Sequence, residues 1–244
     1  EFRDASHLWG KITGEVEDLI LAELGDKLTR IAQIGPAGEN LVRYACIANE
    51  LNEVAGRTGM GAVMGSKRLK AIAVRGKTPV KIADQRGLLA MAKWVSGTMD
   101  EKHRAFHEFG TGAAMQGKSL EGGMPVLNYR LGAADTIAKV DAIAVRDEVR
   151  VRMGACYACS VRCKKVVHIE EREEAARAAS ENIYKGRAKV AFDPLGRYSV
   201  DPRYGGPEYE SLAALGVNLG LEDLIAICNS NEMCNYLAMD TVSL

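Results

Sequence analysis

Cys156-Tyr-Ala-Cys159-Ser-Val-Arg-Cys163 constrains this chain more than any other stretch. Three cysteines within eight residues, spaced C-x2-C-x3-C, can all turn toward one metal centre. A cubane iron–sulfur cluster takes four ligands, so a fourth must come from elsewhere. The spacing separates the motif from several others. A bacterial ferredoxin run reads C-x2-C-x2-C, and a radical-SAM motif has the reverse order, C-x3-C-x2-C. A zinc ribbon needs two C-x2-C knuckles, or one knuckle with a later His pair. His168 lies just downstream, which keeps a Cys3His zinc site open beside the iron–sulfur reading. Structural thiols are the weakest reading, because clustered cysteines are rarely mere packing residues.

Composition narrows the class. A chain of 244 residues can build one large or two small cores. Its 32 basic side chains balance its 32 acidic ones, which argues against a field for nucleic acid or a membrane surface. No apolar run approaches the ~20 residues of a membrane span, and no signal-peptide pattern is visible. Clustered cysteines fit metal binding in a reducing, cytoplasmic compartment better than a disulfide framework. The chain begins Glu1-Phe2-Arg3 and stops at Asp240-Thr-Val-Ser-Leu244, which reads as a section of a longer polypeptide, so missing ligands are expected.

Along the chain, apolar residues at 16, 19, 20 and 24 predict a helix that Gly25 would stop. Thr29–Ile34 reads as a strand ended by Gly35-Pro36, and Asn40–Asn49 as a second strand with Cys46 in the core. The stretch Ala55-Gly-Arg-Thr-Gly-Met-Gly-Ala-Val-Met-Gly-Ser-Lys67 carries glycines at 56, 59, 61 and 65 between Arg57 and Lys67. Glycines permit close backbone approach, and amide nests with nearby cations suit phosphate. The pattern is neither a Walker A loop nor a clean dinucleotide fingerprint. The bland alternative is a tight turn before the strand Ala71–Arg75.

Gly76–Val80 looks like a boundary, after which 83–94 and 102–109 read as helices. His103 and His107 share helical spacing and read as surface or packing residues. Gly110-Thr-Gly and Gly122–Val126 read as loops, and Glu170–Lys185 as a solvated helix, an insertion. In Gly206-Pro-Glu-Tyr-Glu-Ser-Leu212, an extended backbone would point Glu208 and Glu210 the same way, a pair suited to acid/base work or metal binding. Leu221–Met239 has a helix pattern that carries Cys228 and Cys234, six apart and not on one face, read as core or unassigned rather than as the fourth cluster ligand.

Several stretches, in this order, resemble the tungsten-containing aldehyde:ferredoxin oxidoreductase family. They are the Gly-rich stretch with Leu69–Gly76, Phe109-Gly-Thr111, Gly123–Tyr129, the cysteine triad, Gly206-Pro-Glu-Tyr-Glu210, and Asn231-Glu232 through Asp240-Thr241. The resemblance implies an α+β fold. Residues 1–79 would end a β-rich, pterin-cradling domain, and 80–244 would begin a mainly helical one. It further implies one tungsten, or molybdenum, bound by two pyranopterins, and a 4Fe–4S cluster that passes electrons to ferredoxin. Cys156, Cys159 and Cys163 would hold that cluster, with the fourth cysteine beyond Leu244.

By the same resemblance, Arg57 and Thr58 match the pterin-phosphate contact, with Gly59, Gly61 and Lys67 beside them. Glu210, then Glu208, match a Glu near the metal that assists proton or water handling. Asn235 and Asp240 fall in a pterin-binding D-x-x-G-L-D window, where Asn235 replaces the first Asp and Ala238 the Gly. Asn keeps hydrogen bonding without charge. The implied activity is oxidation of small aldehydes to carboxylic acids, and a homodimer is one assembly it admits. A second branch of the family, tungsten-dependent benzoyl-CoA reductase acting on an acyl-CoA, fits the same wording. A non-catalytic iron–sulfur electron-transfer module stands as the non-enzyme alternative.

Overall fold

The computed structural model describes residues 1–99, 101–170 and 199–244. Apart from Glu170, the expected helix over 170–185 therefore lies outside the described residues. The chain opens with helix α1 (Thr13–Leu24), which buries Val16 and Ile20 against Leu8 and Ile31. Glu15 accepts a hydrogen bond from the Ile12 amide at 3.2 Å, and Gly25 closes the helix in the left-handed region at φ 64°. Only a residue without a Cβ adopts that conformation cheaply, which is why the helix stops there.

Strand β1 (Arg30–Gln33) leads into a short helix, α2 (Pro36–Glu39), with Pro36 in its first turn. Then come β2 (Ile47–Asn49), β3 (Glu53–Ala55), helix α3 (Met60–Ser66) and β4 (Ala71–Val74). The four strands form one sheet in the order β3-β2-β1-β4, with every pairing antiparallel. The strand expected over Asn40–Asn49 is shorter than its pattern suggested. Turns following α2 occupy 40–45, with Leu41 at φ 57°, and only Ile47–Asn49 pair in the sheet.

A buried ion pair fixes this region. The Lys70 ammonium pairs with Glu39 and also donates to the Lys11 carbonyl at 3.2 Å, while Glu39 accepts from the Gly10 amide at 2.8 Å. Both side chains are out of solvent, where an isolated charge would be costly, so each must keep its partner. Burial pushes the Lys70 pKa down, opposed by the bond to Glu39.

The rest of the chain is mainly helical. Helix α4 (Gln85–Gly97) starts at Asp84, whose side chain caps the Gly87 amide at 2.9 Å. Helices α5 (Glu101–Phe109) and α6 (Met115–Leu120) follow, separated by a 3-10 turn over Gly110–Ala114. Asp141 caps α7 (Ala142–Ala144), which runs through a π-helical turn into strand β5 (Arg150–Gly154). β5 pairs antiparallel with β6 (Lys164–Val167). Helix α8 (Tyr209–Ser211) continues as a π-helical segment to Val217, and α9 (Leu224–Leu237) starts at the capping Asp223.

Met115, Val145, Val167, Leu212 and Ile227 form the centre of the larger core. α9 also packs on α1, and its exit closes on the sheet region. There the Cys46 amide donates to the Ala238 carbonyl at 2.8 Å and Ala45 bridges Met239. Among the described residues, no helix is long and apolar enough to cross a membrane.

Candidate metal centre and cofactor cradle

The register of β5 and β6 pairs Gly154 with Lys164, so the tip of the hairpin is the segment 155–163. All three motif cysteines sit on that tip. Cys156 is exposed, Cys159 and Cys163 are half-buried, and none is in a disulfide. The Cys159 amide donates to the Cys156 carbonyl at 3.1 Å, and Ala158 and Arg162 take left-handed backbone at φ 55° and 53°. Free thiols on one accessible loop are the right donor set for a thiolate-bound cluster. Among the described residues, no three His, Cys, Asp or Glu side chains are gathered as an ion-binding group. His168, the fourth ligand of the zinc alternative, has its Nδ1 3.1 Å from the Val200 carbonyl. It lies beyond β6, at the opposite end of the hairpin, roughly 16 Å of extended strand from Cys163.

The tip is bordered by residues from distant parts of the chain. Lys165, buried, pairs with Glu208 at 2.8 Å. Glu208 also accepts from the Thr111 hydroxyl at 2.8 Å, and that hydroxyl accepts from the Tyr209 amide at 3.1 Å. The Cys163 thiol is pushed up, first by burial and then by the negative charge of Glu208. His107 lies with Nδ1 2.6 Å from the Val161 carbonyl. Gly110, at φ 64°, lies against the Cys163 carbonyl, where a Cβ would collide with that oxygen. Sequence spacing gave no sign of His107 or Lys165 at this place. Thr111 was flagged only as part of Phe109-Gly-Thr111.

Glu208 and Glu210 do not stand on an extended segment. Glu208 is the N-cap residue of α8 and Glu210 lies in its first turn. Pro207 precedes the turn, and the backbone coils directly into the π-helical segment, so the alternation expected of a strand is lost. Glu208 is committed to Lys165 and Thr111, whereas Glu210 is exposed.

The Gly-rich stretch forms a 3-10 turn (Arg57–Gly59) followed by α3. Its glycines serve the protein's own backbone. A Cβ at Gly59 would strike the Arg43 carbonyl, at Gly61 the Cys46 carbonyl, and at Gly65 the Gly38 carbonyl. This tight packing leaves Arg57, Thr58 and Lys67 exposed. Thr58 holds φ 79°, a strained value for a β-branched residue. The stretch meets the end of α9: a Cβ on Gly56 would lie 3.2 Å from Asp240 Oδ1. Asp240 accepts from the amide and hydroxyl of Ser243. Asn235 turns the other way and donates to the Tyr204 carbonyl at 2.8 Å. Ala238 takes left-handed backbone at φ 57°, the conformation glycine adopts most cheaply. Two of the predicted cofactor stretches are thus neighbours, and exposed guanidinium and hydroxyl groups beside them fit a phosphate-bearing ligand. A polar cleft of about 230 Å³, lined by Glu50, Asn52, Glu53, Lys164 and Glu208, separates the β2–β3 turn from the cysteine hairpin.

This mixed helix-and-strand fold presents three free thiols on one hairpin tip, and its sequence places it within one family. The N-terminal domain of aldehyde ferredoxin oxidoreductase matches residues 1–76, and domains 2 and 3 of the same family match residues 90–244. The chain belongs to the aldehyde ferredoxin oxidoreductase family. It is 37% identical over 246 residues to the tungsten-containing aldehyde ferredoxin oxidoreductase of Pyrococcus furiosus, covering 100% of this chain and 36% of that protein. The protein of the same name from Thermococcus kodakarensis is 36% identical over 249 residues, with the same coverage. The chain thus spans about a third of the length of these relatives. Among solved structures, the active-site complex BamBC of benzoyl coenzyme A reductase with 1,5-dienoyl-CoA superposes with a TM-score of 0.62 at 22% identity. That match covers 99% of this chain and 34% of the other, and shows likeness of fold.

Proposed function

We propose that the chain is part of a tungsten- or molybdenum-dependent bis-pyranopterin oxidoreductase that oxidises small aldehydes to carboxylic acids and passes the electrons through a 4Fe–4S cluster to ferredoxin. The observation that carries this reading is the cysteine tip: three free, accessible thiols on one hairpin loop, in a chain of this family. Cys156, Cys159 and Cys163 would hold the cluster, with a fourth ligand from outside this sequence. Residues 1–79 would belong to the pterin-cradling domain and 80–244 to the start of the helical one. Arg57 and Thr58 would bind a pterin phosphate through charge-assisted hydrogen bonds, assisted by Lys67 and by the amides near Gly59 and Gly61. Asp240 would contribute from the end of α9, with Asn235 turned toward Tyr204 instead.

When bound, the metal–pterin group supplies the two-electron chemistry. The protein's part is to bind, orient and move a proton. Glu210, exposed and without the ties that bind Glu208, is the side chain free to exchange a proton with a substrate-derived oxygen. Glu208 is held by the Lys165 ammonium and the Thr111 hydroxyl, and orients the segment that carries Glu210.

Elemental analysis of the full-length protein, purified anaerobically, tests this reading. About four iron with matching labile sulfide and one tungsten or molybdenum per chain is the expected result. Iron and sulfide without either heavy metal would leave an electron-transfer module. Zinc alone would sink both.

A further inference from the structure

The cysteine tip is poorly supported from within. Segment 155–163 must present three thiols, yet Ala158 and Arg162 sit in backbone conformations that side-chain-bearing residues rarely adopt. The backbone bond described within it is the one from Cys159 to Cys156. Lys164 and Lys165 anchor the second strand to Glu53 and Glu208, and the end of α5 holds the tip from the other side. Glu108 pairs with Arg150 at 2.6 Å and so grips the first strand of the hairpin. Gly110 lies against the Cys163 carbonyl at the other end. Between them, His107 reaches the apex, with Nδ1 2.6 Å from the Val161 carbonyl, midway between Cys159 and Cys163. A carbonyl only accepts, so the imidazole proton sits on Nδ1.

We infer that His107 is a positioning residue for the cluster: its Nδ1–H fixes the Val161 carbonyl and thereby the backbone from which Cys159 and Cys163 project. This rests on the proposed reading that the triad holds an iron–sulfur cluster. The contact spans 54 positions in sequence and comes from a different element, so it sets the loop without being part of it. Mutation of groups that orient metal ligands from outside the ligand set typically costs about 10–100-fold in metal affinity.

The test uses the full-length protein and three variants, all purified anaerobically. His107→Ala removes ring and donor. His107→Phe keeps a ring without a donor. His107→Asn returns an amide N–H near the place of Nδ1. Iron and labile sulfide per chain are measured first, then the rate of iron transfer to bathophenanthroline and the melting temperature of the metal-free protein. The Ala and Phe variants are expected to release iron about tenfold faster than wild type, with Asn restored toward wild type. Melting temperatures should stay alike across the set. Equal release rates for wild type, Ala and Phe, in protein that carries about four iron, would overturn the assignment of His107 and leave the cluster reading intact. Release that follows melting temperature instead of the donor would overturn it too. Wild-type protein without iron or sulfide would sink the cluster reading and this inference with it.

Discussion

The two stretches that single this chain out are built in opposite ways. The Gly-rich stretch is wound tightly, with Gly59, Gly61 and Gly65 against the carbonyls of Arg43, Cys46 and Gly38. The cysteine tip is open, with one thiol exposed, two half-buried, and part of its support drawn from α5. Under the proposed reading, the Gly-rich stretch would offer a rigid organic ligand a backbone already fixed by packing. A thiolate site gains its final geometry from the metal, since binding and ordering are coupled. The same contrast divides the cysteines. Cys46, Cys228 and Cys234 are buried packing residues, whereas the triad is available.

The largest expected effect separates the two cysteine sets. Cys156→Ser, Cys159→Ser or Cys163→Ser in the full-length protein should remove most of the cluster iron and sulfide, measured by elemental analysis. Cys228→Ser should keep the iron and lower the melting temperature instead, because it buries a hydroxyl, at a cost of about 1–3 kcal/mol. Iron lost equally from both sets would erase the distinction.

Alkali should come next. Burial pushes the thiols of Cys46, Cys228 and Cys234 up to about 12 from the ordinary 9.0. On unfolding they ionise near the ordinary value, so between these two pH values the unfolded state binds fewer protons than the native one. Stability from these groups is therefore whole below pH 9 and lost as pH climbs toward 12. Urea unfolding of the metal-free protein from pH 8 to 11 should show this fall. Cys228→Ala, which removes one of these three buried thiols, should make the fall shallower. An unchanged slope in Cys228→Ala would mean that the buried thiol ionises as readily as a free one.

Much of this arrangement was legible in the residues themselves. The apolar spacing at 16 and 20 with Gly25 beyond it gave α1, and runs of β-formers gave β1 and β4. Cys46 was legible as a core residue, whereas Cys228 and Cys234 were open between core and no role until the structure buried them. What stayed hidden depends on distant partners. β2 was overestimated because only β1 and β3 decide how much of 40–49 pairs. Glu208 and Glu210 would point the same way on an extended backbone, but their turn coils into the π-helical segment that follows. The bonds from His107 to Val161, Lys165 to Glu208 and Thr111 to Glu208 span 54, 43 and 97 positions, and no local pattern encodes them. The glycines were visible, but spacing could not tell whether they approach a ligand or the chain's own backbone.

That last ambiguity gives the smallest and cleanest test of the contrast. If Gly65 is required by packing, Gly65→Ala should cost about 1–3 kcal/mol, the range typical of overpacking, whether or not any cofactor is present. The same change at Gly117, a glycine in α6 with open space where a Cβ would lie, should instead stabilise by about 0.5–1 kcal/mol. Urea unfolding of the metal-free protein reads both. A loss at Gly65 only in cofactor-loaded protein would mean that the glycine serves the ligand. The cradle would then resemble the cysteine tip, a site finished by what it binds.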